Sequence, residues 1–209
     1  MGSFINFVRL ALLSFSYSVK HKKIDEGVIR EWVDDVLRKY HITVECKGEF
    51  DAEKSVIMAN HSSYFDILAL YKCIKSKLLW VAKKELFGYP VIGKALKGIG
   101  AVGVNRKDDK EAAIALMRVL KNFKSGAVVV FPQGTRKNRN AFKKGGILIA
   151  KKKNIPILPI KIVGSESIMP VGKLELNSGS VIVKAFEKID VSRLESDEIE
   201  RVVRSKIYD

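Results

Sequence analysis

The segment Asn60-His61-Ser62-Ser63-Tyr64-Phe65-Asp66 holds one of the three histidines of the chain and, five residues later, an aspartate. An imidazole steadied by a carboxylate is what a general base acting on a hydroxyl needs. The ring takes the proton, and the carboxylate orients the ring and stabilises the imidazolium. On a helix, five residues turn through about 500°, which would leave the two side chains roughly 140° apart. The pair therefore meets only if His61 lies in a turn and Asp66 in the first turn of the helix that follows. Ser63-x-x-Asp66 also fits a capping box, with Ser63 as the cap and Asp66 reaching back to it. The heptapeptide alone leaves catalysis and capping both open. On the catalytic reading, the backbone amides near Ser62 and Ser63 are the expected oxyanion donors.

The elements around this segment follow from periodicity. Val56 to Ala59 reads as a strand entering it, and Tyr64 to Ile74 as a helix leaving it. Ile24 to Tyr40 carries Val28, Ile29, Trp32, Val33, Val36 and Leu37 at helical spacing. Lys110 to Phe123 predicts a helix with Ala113, Leu116, Met117, Leu120 and Phe123 on its apolar side. Gly146 to Lys152 and Leu194 to Ile207 read as further helices. Strands are expected at Ile42 to Cys46, Leu78 to Ala82, Ala127 to Phe131, Ile157 to Val163 and Val181 to Phe186. Continuous apolar strands alternating with helices predict an α/β fold, a central sheet covered by helices.

Length and charge narrow the partners. The 209 residues suit one folded core, and 38 basic against 23 acidic residues leave a net charge of +15. Such an excess implies an anionic partner: a membrane surface, a phosphorylated substrate or nucleic acid. No nucleic-acid-binding module and no aromatic platform on a basic strand is present, which argues against nucleic acid. Cys46 and Cys73 share no metal-ligand spacing and suggest no disulfide framework, so a reducing compartment is the natural expectation and neither receives a role.

Phe4 to Val19 is dense in Phe, Leu, Ile and Val and has no small-residue cleavage site. As a helix it is about 24 Å long, short of the ~30 Å hydrocarbon core of a bilayer. Asn6, Arg9, Ser16 and Lys20 fall in one narrow sector, interrupted by Leu13. The expectation is a helix lying in one leaflet, with Lys20, Lys22 and Lys23 at the headgroups on the cytoplasmic side. Packing on the protein's own core is the alternative.

Three further segments place polar groups after strands. Phe131-Pro132-Gln133-Gly134-Thr135-Arg136 offers a glycine for backbone approach, a hydroxyl and a guanidinium fork suited to phosphate. Lys83 follows one strand, and Asn105-Arg106 follows Val102 to Val104. Gly98-x-Gly100-x-x-Gly103 has the letters of a dinucleotide fingerprint, but no strand precedes it and no helix opens on it. Asn122, Phe123 and Lys124 stand where its acid should be, ~20 residues on. Flexible backbone near a substrate is the better expectation there.

Taken in order, these blocks resemble the glycerolipid acyltransferase family, in particular the 1-acylglycerol-3-phosphate acyltransferases. His61 through Asp66 matches the His-x4-Asp signature, and Lys83 through Arg106 is similar to the second block. Phe131 to Arg136 resembles Phe-Pro-Glu-Gly-Thr-Arg, and Ile155-Pro156-Ile157-Leu158-Pro159 the final proline block. The resemblance covers roughly residues 50 to 165. It implies a glycerolipid acyltransferase-like fold with a central mixed sheet, residues 41–209 forming the catalytic domain and 1–40 membrane-associating helices.

It also implies transfer of a fatty acyl group from acyl-CoA or acyl carrier protein to a lysophospholipid hydroxyl, chiefly 1-acylglycerol-3-phosphate giving phosphatidic acid. No metal or other cofactor is implied. His61 would be the base and Asp66 its orienting acid. Arg136, Gly134 and Thr135, with Lys83 and Arg106, would hold the acceptor phosphate. An anionic membrane surface at the cytoplasmic face of the inner membrane is the expected partner. Another lysolipid acceptor, or an inert anionic-membrane binder, are the alternatives. Gln133 stands where the family usually has Glu, and Asn105 where Asp is common.

Overall fold

A computed structural model describes residues 2–105, 109–134, 141–173 and 175–209. Seven strands form one mixed sheet in the order β1 (Ile42–Lys47), β7 (Gly179–Ala185), β6 (Ile157–Val163), β2 (Ser55–Ala59), β5 (Ala127–Val130), β3 (Leu78–Lys83), β4 (Val102–Val104). Every neighbouring pair is parallel except β6 and β7. β2 is central and buried on both faces. That is why its sequence is an unbroken apolar run rather than an alternation.

The alternation survives in which helices each residue meets. Ile57 and Ala59 point into a core shared with α1 (Gly2–Lys20), α2 (Glu26–Lys39) and α3 (Phe65–Cys73). Val56 and Met58 point to the opposite core, built with α5 (Asp109–Asn122), α6 (Gly145–Lys153) and α8 (Ser196–Tyr208). The short helix α7 (Ser165–Ile168) follows β6. The N-terminal helices are part of the first core: Leu10, Val33, Val36 and Leu37 all belong to it.

Local chemistry explains the helix ends. The Asp25 carboxylate caps α2 by accepting from Val28 N–H at 3.1 Å, with Glu26 in the first turn and Arg38 and Lys39 in the last, as the helix dipole favours. Asn154, in the left-handed region at φ 50°, ends α6. The guanidinium of Arg30 on α2 donates to the carbonyls of Tyr71, Ile74, Lys75 and Ser76, satisfying the C-terminal end of α3.

Several expectations are corrected. Cys46 on β1 and Cys73 at the end of α3 form a disulfide, Cα to Cα 5.7 Å across a separation of 27 residues. The pairing is tertiary, since α3 packs over the β1–β7 side of the sheet, so sequence spacing could not show it. It removes the cysteine argument for a reducing compartment. Of the expected apolar side of α5, Leu120 and, just past its end, Phe123 do pack on the core, but Met117 is 61% exposed, and Ala115 and Val119 are buried in its place. The stretch after β3, to which the sequence reading assigns no element, is a 3-10 turn over Lys84–Gly88 followed by α4 (Pro90–Gly98). Gly93 and Gly98 serve close packing, whereas Gly100, at φ 69°, has open space around it. A Cβ on Gly98 would lie 1.7 Å from the Ile24 carbonyl oxygen, and one on Gly93 2.2 Å from that of Phe87.

Candidate active site

β2 delivers its carboxyl end between β5 and β6, the two strands that flank it in the sheet and are consecutive in the chain. Such a reversal of connection opens a crevice at strand ends. Asn60 fixes this end. Its side-chain amide donates to Ile162 O and accepts from Ile162 N–H, both at 2.7 Å, continuing the β2–β6 ladder with a side chain. His61 comes next, in the turn before α3. Its backbone N–H donates to Gln133 Oε1 at 2.7 Å. Its ring lies flat on Phe131, centroids 3.9 Å apart at 10°.

Nδ1 of His61 is 2.7 Å from Oδ2 of Asp66, the second residue of α3, and Asp66 is fully buried. The same Oδ2 accepts from the N–H groups of Ser62 at 2.9 Å and Ser63 at 3.0 Å. Ser63 Oγ in turn accepts from Phe65 N–H at 3.0 Å and donates to Met169 O at 2.8 Å. Catalysis and capping, open alternatives in the sequence, are therefore one arrangement. A single carboxylate oxygen closes the start of the helix and orients the imidazole. With Nδ1–H given to the carboxylate, Nε2 is left as a proton acceptor. The expectation for the oxyanion donors is overturned, because Asp66 occupies both the Ser62 and Ser63 amides.

His61 and Gln133 line a cleft of about 690 Å³ whose far side is formed by Lys161 on β6 and by Arg201, Arg204 and Tyr208 on α8. Gly134 follows directly, turning the chain after β5 at φ 65°, a conformation that glycine adopts without strain. Lys83 does not line the cleft. It is half-exposed at the end of β3, with Nζ 3.1 Å from Glu85 Oε1, and β5 separates its strand from β2. Lys83 pairs with Val104, two residues before Arg106. Arg106, Thr135 and Arg136 lie outside the described residues. Among the described residues no group of three or more His, Cys, Asp or Glu side chains is placed to hold a metal.

Sequence reasoning missed the ring stack on Phe131, the Asn60 ladder, the Gln133 acceptor and the contribution of α8. Of these, only Asn60 and Gln133 carried a signal, as polar residues at the ends of buried strands.

Residues 41–163 match the family model described as Acyltransferase. The chloroplastic 1-acyl-sn-glycerol-3-phosphate acyltransferase LPAT1 of Arabidopsis thaliana is 35% identical over 158 residues, covering 73% of this chain and 44% of that protein. The 1-acyl-sn-glycerol-3-phosphate acyltransferase of Helicobacter pylori (strain J99) is 33% identical over 140 residues, 64% of this chain and 59% of that one. The chain thus spans about half the length of these curated relatives. The crystal structure of the 1-acyl-sn-glycerophosphate acyltransferase PlsC from Thermotoga maritima superposes with a TM-score of 0.75 at 22% identity, covering 97% of this chain and 90% of that chain. That likeness shows the fold.

Proposed function

The chain belongs to the acyltransferase family, and from that premise we propose that it moves a fatty acyl group from a thioester to the free hydroxyl of 1-acylglycerol-3-phosphate, giving phosphatidic acid. The observation that carries this reading is the 2.7 Å contact between His61 Nδ1 and the buried Asp66 at the mouth of a cleft. Nε2 takes the proton of the acceptor hydroxyl as its oxygen attacks the thioester carbonyl. Asp66 stabilises the resulting imidazolium. When the tetrahedral adduct collapses, the C–S bond breaks and the imidazolium returns the proton to the departing thiolate. The products are ester and thiol, with His61 regenerated, and the chemistry calls on no metal or redox cofactor. Acyl-CoA and acyl carrier protein both present the same thioester.

Gly134, Thr135 and Arg136, with Lys83 and Arg106, are assigned to the acceptor phosphate. The assignment follows the chain's match to the phosphate-binding blocks of the family. Membrane association fits the substrates. α1 is long and apolar enough by length and composition to cross a bilayer, and it shows solvent Phe4, Ile5, Val8, Leu12, Phe15 and Val19. With the flanking lysines, the cytoplasmic leaflet is the proposed surface.

His61→Ala should lower kcat by about 10²- to 10⁴-fold with an unchanged circular-dichroism spectrum. Full activity in that variant would remove His61 from the mechanism. A panel of lysolipid acceptors tested with one acyl donor fixes the acceptor. Preference for an aminolipid or another lysophospholipid would replace 1-acylglycerol-3-phosphate in this reading, and absence of turnover with all of them would favour an inert membrane binder.

A further inference from the structure

The cleft beside His61 has a cationic wall that the acceptor does not need. α8 is seated by Ile199, Val203 and Ile207, all essentially fully buried, and by the Lys144–Asp197 ion pair to the start of α6. That seating turns Arg201, Arg204, Ser205 and Tyr208, at helical i, i+3, i+4, i+7 spacing, toward the cleft. Lys161 faces them from β6. It stands directly opposite Lys184 on β7, a cross-strand pair of like charges that costs stability unless something anionic offsets it. Lys184 and Lys206 both lie over the ring of Phe186, which extends the basic strip along α8.

The acids of the lining, Glu166 and Asp209, offset part of this charge. Glu166 accepts from Ser62 Oγ at 3.1 Å, and Arg204 is engaged by Glu200 at 2.9 Å, which leaves Lys161 and Arg201 as the cations to consider. Lys161 and Arg201 make no ion pair within 4 Å among the described residues. The Tyr208 hydroxyl is buried with no hydrogen-bond partner among the described residues. Burial pushes its pKa up to about 12, so it stays a neutral donor.

Two anionic substrates must reach one imidazole at once. The strands β5, β3 and β4, after which the groups assigned to the acceptor phosphate come in the sequence, lie on one side of β2 in the sheet. The wall of Lys161, Arg201 and Tyr208 lies on the other side, against β6. A volume of about 690 Å³ is ample for an extended arm and falls in the ordinary range for ligand sites. We infer that this wall binds the phosphate end of a phosphopantetheine thioester, so that the acyl donor enters along β6 and α8 while the acceptor enters from the β5 side. The inference rests on the acyl-transfer reading above. Phosphopantetheine is common to coenzyme A and to acyl carrier protein.

The test compares wild type with the double variant Lys161→Gln/Arg201→Gln, using acyl-CoA, acyl carrier protein and acyl-pantetheine, which lacks the phosphate. The variant should raise KM by about tenfold or more for whichever phosphate-bearing donor supports turnover, the size expected for losing charge-assisted hydrogen bonds to phosphate. KM for the lysophosphatidate acceptor should hold, and the preference for phosphate-bearing donor over acyl-pantetheine should fall in parallel. Arg201→Lys in an otherwise wild-type chain should retain most of the donor affinity. An unchanged donor KM, an equal loss with acyl-pantetheine, or a rise in the acceptor KM instead would overturn the inference. If wild type acylates no acceptor, the proposed function fails on its own. The wall is then judged by titrating coenzyme A and phosphopantetheinylated carrier protein against the protein without acceptor. Binding weakened in the variant sustains it, and binding of neither by wild type ends it.

Discussion

Gln133 carries a task that needs an acceptor, not a charge. Its Oε1 receives the His61 N–H at 2.7 Å, and only 3% of the residue is exposed. A neutral amide does this as well as the glutamate common at this position, while leaving Asp66, among the described residues, as the one carboxylate in hydrogen-bond contact with the His61 ring. Gln133→Glu should keep the hydrogen bond and add negative charge beside the imidazole. That charge steadies the imidazolium that forms as the proton is taken, so kcat at saturating substrate should hold or rise, with an unchanged circular-dichroism spectrum. A kcat well below wild type would show that position 133 must stay neutral for His61 to act. Gln133→Leu instead strands a buried N–H, costing about 1–3 kcal/mol, and should lower thermal stability along with activity. The His61–Asp66 pair was legible because both partners sit within one heptapeptide, and only one local geometry lets them touch. Gln133 and Phe131 were not, because each meets His61 across some seventy residues.

α3 is held at both ends, which is how Asp66 keeps its place. Its first turn is closed by Ser63 and Asp66, and its last by Arg30 and the disulfide to β1. A link closing 27 residues is worth about 3.5 kcal/mol in the chain-entropy account. Cys46→Ser/Cys73→Ser should therefore unfold at a markedly lower temperature than oxidised wild type, and a reducing agent should lower the wild-type midpoint toward the variant while leaving the variant unmoved. Equal midpoints with and without reductant in wild type would mean that the link contributes nothing. Helices with a regular apolar stripe and a side-chain cap, such as α2, were readable to within a residue or two, because cap and stripe are local. α4 was not. Its glycines look like breakers, yet Gly93 and Gly98 are there because the chain at Phe87 and Ile24 comes too close for any side chain. The buried face of α5 was misread around Met117 because periodicity gives a stripe without saying which edge of it the sheet covers.

Across the whole molecule, alternating apolar strands and helices sufficed for the class. The order in the sheet was not in the pattern: β5 slots between β2 and β3, and β7, with β1 beside it, runs antiparallel to β6 and the rest, both decided by long-range pairing. Charge and apolar surface then act together. Phe7, Leu10 and Leu13 turn one side of α1 onto the protein, and Asn6 donates to Leu176 O at 3.3 Å. The opposite side presents Leu12, Phe15 and Val19 at 63%, 57% and 68% exposure. α1 is thus packed on the core along one face, and its other face is apolar and exposed, the face proposed for the membrane. Leu12→Asp/Phe15→Asp should leave the folded core intact, since neither side chain is buried in it. If this face enters the bilayer, removing two apolar side chains that each contribute about 1.5–3 kcal/mol when fully buried should reduce sedimentation with anionic liposomes by about 100-fold or more in partition coefficient. Raising the salt should weaken the +15 contribution in wild type and variant alike, because screening acts on charge and not on apolar contact. Sedimentation of the variant that matches wild type at low salt and is lost as salt is raised would refute the α1 face as the membrane contact and leave the attachment to charge alone.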